Sequence, residues 1–150
     1  MAAILFGAVV AVERVFGFQY RSRLEKLALV AIPTLFYACH VTYLSLGSFD
    51  YGYNMIAGVV VGVSSNIVWM YWALKNWRIR AYAWKVAFLV IAISAAMALE
   101  LFDFPPWKWI LDAHSLWHAA TIPLVALFYS FVMDDIRTEI KAGKGKQSLD

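Results

Sequence analysis

The chain has 150 residues, 63% of them hydrophobic, 17% aromatic and only 15% charged. A soluble domain carries roughly 45–50% apolar and about 25% charged residues, so this composition argues against one and for a chain solvated largely by lipid. The net charge of +3 would suit nucleic acid, but the cations lie in short loops between apolar runs, and nucleic acid is not expected as a partner.

Five apolar stretches follow one another, at about 2–18, 27–46, 55–74, 86–102 and 115–133. Each is within or near the range of about 17–25 residues that crosses a bilayer as a helix, and in lipid only a helix satisfies its own backbone hydrogen bonds. The predicted fold class is therefore an all-α integral membrane protein with about five transmembrane helices. The first stretch has no basic residue before it and is followed by Glu13-Arg14, which reads as a membrane helix and not a cleaved signal. The second holds Pro33, the lone cysteine Cys39 and His40; no intrachain disulfide can form, and Cys39 reads as a small packing residue.

The loop at 47–54 (GSFDYGYN) places Asp50 as a turn former ahead of the third helix. Within that helix Gly58 and Gly62 have the spacing of close helix packing, and Ser64-Ser65-Asn66 reads as helix–helix hydrogen bonding. Glu100 ends the fourth helix, and the connection 103–114 (DFPPWKWILDAH) carries Asp103, Asp112 and His114. The fifth helix holds His118 and Pro123, and a polar, disordered tail is expected over 136–150.

The loops are of two kinds. Those at 19–26 and 75–85, together with the tail and Arg14, hold 12 of the 13 Lys and Arg residues; the loops at 47–54 and 103–114 hold only Lys108. Cytoplasmic loops attract Lys and Arg, so the basic side is expected in the cytoplasm, with the N-terminus on the far side and the C-terminus cytoplasmic. Trp69, Trp72, Trp77 and Trp84 mark one interface and Trp107, Trp109 and Trp117 the other.

All three histidines then fall near the non-cytoplasmic face. His114 and His118 are four apart and share one helix face if the helix begins by His114. Such a pair suits zinc, which can acidify water for attack on a carbonyl. The competing reading is that interfacial histidines meet only water and headgroups. Two histidines do not complete a catalytic site, which usually needs three protein ligands; His40 is the remaining histidine.

FDYGYN at 49–54, LELFDFPP at 99–106, LDAHSLWH at 111–118 and FYSFVMDD at 128–135 resemble the Per1-like family, also called the post-GPI attachment to proteins factor three family. The resemblance covers most of residues 1–135 in the same order, including CHVTYLSL before FDYGYN. It implies a seven-helix hydrolase of the endoplasmic reticulum or Golgi membrane, related to alkaline ceramidases, whose last five helices these five would be. Its implied reaction is removal of the sn-2 acyl chain from the phosphatidylinositol of GPI-anchored proteins, a phospholipase A2-type ester hydrolysis dependent on zinc.

His114 and His118 match the histidine pair of that family's last helix and are its implied zinc ligands. Asp112 is the candidate to fix a ligand tautomer, while Glu100 and Asp103 are candidates to line a headgroup entrance and His40 a substitute third ligand. The family's early Ser-x3-His has no counterpart: Phe36 stands four residues before His40 and Ile110 four before His114. The Asp that follows that motif is missing too. The expectation is a fragment or an N-terminally truncated member, and the alternative is a catalytically incomplete membrane module that binds lipid or a partner.

Overall fold

The computed structural model describes residues 2–17, 22–47, 49–102, 104–107 and 111–147, with only the backbone given for 2–4, 100 and 143–147. Five helices occupy the five expected stretches: α1 (Ala2–Phe16), α2 (Arg23–Leu46), α3 (Tyr51–Asn76), α4 (Ala83–Phe102) and α5 (Ala113–Gln147). No strand occurs among the described residues; an isolated bridge joins Trp107 and Leu111 in the loop before α5. The protein is all-α and membrane-type. By length and composition Arg23–Leu46, Tyr51–Asn76 and Ala113–Ala142 suffice to cross a bilayer, and Ala83–Leu99 is a shorter apolar helix.

α2, α3 and α5 start earlier than apolarity alone suggested because polar side chains cap them. Ser22 and Glu25 form a reciprocal capping box, with Glu25 N–H donating to Ser22 Oγ at 3.3 Å and Ser22 N–H to Glu25 Oε2 at 2.9 Å. Asp50 Oδ1 accepts Tyr53 N–H at 2.9 Å and so opens α3, the turn role expected of it. Gly17 ends α1 at φ 61, a conformation glycine adopts without steric cost, and its N–H donates to Glu13 C=O at 2.9 Å.

Both internal prolines are absorbed within their helices. Thr34 Oγ1 donates to Val30 C=O at 2.7 Å beside Pro33, and Thr121 Oγ1 to His118 C=O at 2.9 Å beside Pro123. The carbonyls that lose an N–H partner to the two prolines are those of Leu29 and Ala119, so each hydroxyl adds a bond on the residue next to the break.

The chain divides into two units, residues 1–72 and 73–150. In the first, α1 and α2 touch each other; Ala11 and Trp72 are buried there, and the Arg14 guanidinium lies 6.0 Å from the Trp72 ring centroid. In the second, α4 and α5 pack against each other around Ala83, Val86, Ala96, Ala113 and Phe131. Small residues at the seam let helices approach closely in lipid, where no hydrophobic drive holds them together. Ile32, Leu35, Ile56, Ile67, Ile122 and Val125 lie exposed along the three longest apolar helices, as lipid-facing side chains do. Among the described residues of the first unit no neighbouring helix comes within 4 Å of a Cβ built on Gly58 or Gly62, so the close packing expected of that pair is not made there.

At its far end α5 runs on to Gln147, beyond the predicted end at 133 and through stretch 136–147 expected as disordered tail. Charged side chains hold its first turns: Thr138 Oγ1 donates to Asp134 C=O, and Asp134, Asp135 and Glu139 all bind cations.

Candidate functional site

The start of α5 is set by Asp112. Its Oδ1 accepts Ser115 N–H at 2.6 Å, which caps the first turn and brings His114 inside the helix. That hydrogen bond, joined by one from the Ser115 side chain and more weakly by the charge of His114, holds the Asp112 carboxyl below the usual carboxylate range.

With His114 helical, His118 lies one turn on, and the two rings meet. Their Nε2 atoms are 3.0 Å apart and their centroids 4.6 Å, at an interplanar angle of 84°. Trp117 packs beside both, 5.5 Å from His114 and 4.3 Å from His118 between centroids. At 3.0 Å the two Nε2 atoms are within hydrogen-bond distance, and the tautomers set which ring donates. Two nitrogens about 2.0–2.1 Å from a tetrahedral zinc stand about 3.3 Å apart, so small side-chain rotations would let both bind one ion. The pair fits two coordination positions. A group of three or more His, Cys, Asp or Glu able to hold a metal does not occur among the described residues.

The other predicted residues separate into two groups. Asp103 lies outside the described residues, and of Glu100 only the helical backbone is described. His40 is buried, 3% exposed, within the first unit. Its Nδ1 is 3.3 Å from Tyr53 OH, its ring faces Phe36, and Tyr43 meets Tyr53 edge-on while hydrogen-bonding Asp50 Oδ2 at 3.4 Å. His40 is thus committed to an aromatic cluster that ties α2 to α3.

Sequence reasoning missed a polar clamp between the start of α4 and the far half of α5. Arg80 binds Asp135 Oδ1 at 3.0 Å and Glu139 Oε1 at 2.8 Å, and Tyr82 OH donates to the same Asp135 oxygen at 2.7 Å. Lys85 Nζ reaches Asp134 Oδ2 at 2.6 Å and Ser130 Oγ at 2.7 Å. Burial, the largest influence, together with Asp135 raises the Tyr82 phenol above its ordinary value; Thr138 and Arg80 oppose this. The readable signal was opposite charge flanking two successive apolar stretches: Arg80 and Lys85 before 86–102, Asp134, Asp135 and Glu139 after 115–133.

Residues 1–136 match the Per1-like family. A "GPI-specific phospholipase A2-like PGAP3" of Xenopus tropicalis is 45% identical over 134 residues, 89% of this chain and 42% of the relative. The Homo sapiens protein of that name is 39% identical over 147 residues, 98% of this chain and 45% of the relative. "Protein PER1 homolog" of Schizosaccharomyces pombe is 42% identical over 112 residues, 73% of this chain and 34% of the relative. The chain spans less than half the length of these curated relatives. No solved structure matches. The chain belongs to the Per1-like family.

Proposed function

We propose that this chain is the histidine-bearing part of a GPI-anchor lipid-remodelling hydrolase that removes the sn-2 acyl chain from the phosphatidylinositol of GPI-anchored proteins. The observation that carries this reading is the 3.0 Å approach of His114 and His118 on a helix of a Per1-like chain. Relatives named as GPI-specific phospholipase A2-like support the substrate class and the ester-hydrolysing reaction.

His114 and His118 would hold Zn2+, which when bound polarises an ester carbonyl as a Lewis acid. Trp117 restrains both imidazoles by packing. Asp112 fixes where the helix begins and so whether the two rings share a face. The remaining ligand and the groups that orient water lie outside this pair. Asymmetry of Lys and Arg supports a luminal histidine end, a luminal N-terminus and a cytoplasmic C-terminus in the endoplasmic reticulum membrane or the Golgi membrane.

The test is the lipid composition of GPI-anchored proteins in cells whose remodelling enzyme is replaced by a full-length protein carrying this chain. With the wild type, sn-2 unsaturated chains are removed; with His118→Ala, the protein inserts at normal abundance and those chains remain. Unchanged removal by His118→Ala would overturn the proposed histidine role.

A further inference from the structure

Beyond Met133 the emerging end of α5 has two faces. Asp134, Asp135, Thr138 and Glu139 turn toward Arg80, Tyr82 and Lys85, so the acidic side chains of this segment are drawn into the clamp. Met133, Ile136, Arg137 and Ile140 recur at the i, i+3, i+4, i+7 spacing of a second face. That face is exposed: Ile136 is 48% and Ile140 53% accessible, with Arg137 and Lys141 exposed beside them. The neighbouring turn before α4 adds exposed Arg78 and Ile79, the latter 80% accessible. Arg137 retains only a 3.8 Å contact to Asp134.

Depth and charge together identify the occupant. Asp134 is the first charged residue after the apolar run of α5. The headgroup layer extends about 5–8 Å beyond the hydrocarbon on each side, some four or five residues of helix at about 1.5 Å each. Arg137 falls within that layer and Ile136 near its apolar boundary, while Ile140 and Lys141, about 10–12 Å past Met133, stand at its outer surface, within about a Debye length of the anionic headgroups. A basic and apolar surface at this depth meets anionic headgroups with its cations and the interfacial layer with its isoleucines.

We propose that Arg78, Arg137 and Lys141, with Ile79, Ile136 and Ile140, form a binding surface for anionic phospholipid at the end of the α4–α5 pair distant from the histidines. It rests on the membrane placement of α5 and not on the histidine chemistry. The clamp creates the surface, because without Arg80 and Lys85 the three acids would cancel its charge.

The full chain in neutral detergent, titrated at low salt with phosphatidylserine or phosphatidylcholine and weighed by native mass spectrometry, tests this. Each interfacial cation contributes about a fivefold affinity gain for anionic lipid, so three give a preference on the order of a hundredfold. Arg78→Gln/Arg137→Gln/Lys141→Gln is expected to retain the two lipids within severalfold of each other. Lys141→Gln alone, which leaves every clamp contact intact, is expected to lower phosphatidylserine retention about fivefold; Arg78→Lys/Arg137→Lys is expected to keep it. Equal retention of both lipids by the wild type overturns the proposal, as does an undiminished preference in Lys141→Gln and the triple variant. A chain that dimerises through this face with no lipid preference overturns it as well.

Discussion

Replacing Asp135 by alanine removes the residue on which the α4–α5 clamp converges. Its side chain is 12% exposed and accepts from both Arg80 at 3.0 Å and Tyr82 at 2.7 Å, while Arg80 is 20% exposed. Removing one partner of a fully buried ion pair costs about 3–5 kcal/mol because the other charge is left uncompensated. Arg80 keeps Glu139 at 2.8 Å and some contact with water, which lowers the expected loss to about 2 kcal/mol. Glu139→Ala removes a partner that is 48% exposed and should cost about 0.5 kcal/mol. Reversible unfolding of the purified chain in mixed mild and denaturing micelles, followed by circular dichroism, gives both values. In a double-mutant cycle Arg80→Ala and Asp135→Ala should couple by about 1.5 kcal/mol. Equal losses in Asp135→Ala and Glu139→Ala, or a coupling below about 0.5 kcal/mol, would refute the clamp as a stabilising contact.

Tyr82 provides an alkaline test of the same region. Its phenol is raised by burial, so the stability it lends is complete below the ordinary tyrosine value of about 10 and is lost as pH rises through the folded value. Ultraviolet titration should show late phenol ionisation that Tyr82→Phe diminishes; a titration unchanged by that substitution contradicts the assignment. The lowered Asp112 carboxyl has the opposite sign: its cap is complete above the ordinary aspartate value of about 3.9 and fails as pH falls through the folded value. Amide exchange at Ser115 should therefore be slow at about pH 5–7 in the wild type and in Asp112→Asn, and faster in Asp112→Ala; equal rates in all three would exclude the cap. Finally, His114→Ala should lower the zinc content of a full-length protein carrying this chain to the level of His118→Ala. Full retention in either variant removes that residue from the ligand set.

The helices were legible because lipid imposes one rule on every stretch: long apolar runs must be helical. Their ends were less so. Ser22, Asp50 and Asp112 begin α2, α3 and α5 outside the apolar windows, since a cap depends on a hydroxyl or carboxylate aimed at one N–H and not on hydropathy. The His114–His118 pair was legible because a four-residue spacing fixes a shared face once the helix includes both. The Gly58–Gly62 spacing finds no neighbour among the described residues of the first unit, because small residues permit close approach without supplying the partner. The clamp was missed because its members are 45 to 59 residues apart and resemble solvated loop charges until the two helices pair. For the same reason 136–147 read as tail: its polarity signalled water, whereas its one acid, Glu139, joins Asp134 and Asp135 just before it in binding Arg80 and Lys85 at the start of α4.

The clamp also bears on what the histidine pair can do. At about 100° per residue, the 16 residues between His118 and Asp134 turn the helix through a net of about 160°, nearly half a revolution. The face of α5 that grips α4 at one end is thus almost opposite the face that carries the imidazoles at the other. Pairing with α4 through that face leaves His114 and His118 exposed, as observed. A lone helix could rotate to satisfy its histidines elsewhere; one locked by Asp134 and Asp135 to Lys85 and Arg80 cannot. Under the proposed function, the clamp holds one face of α5 so that the other stays presented to lipid substrate and to the missing ligand. Loosening it should therefore lower zinc affinity without any change at the histidines. Asp135→Ala, which still contains both imidazoles and the Asp112 cap, should bind zinc more weakly in a full-length protein carrying this chain, while Glu139→Ala should match the wild type. Identical zinc affinity in all three would mean that the two ends of α5 act independently.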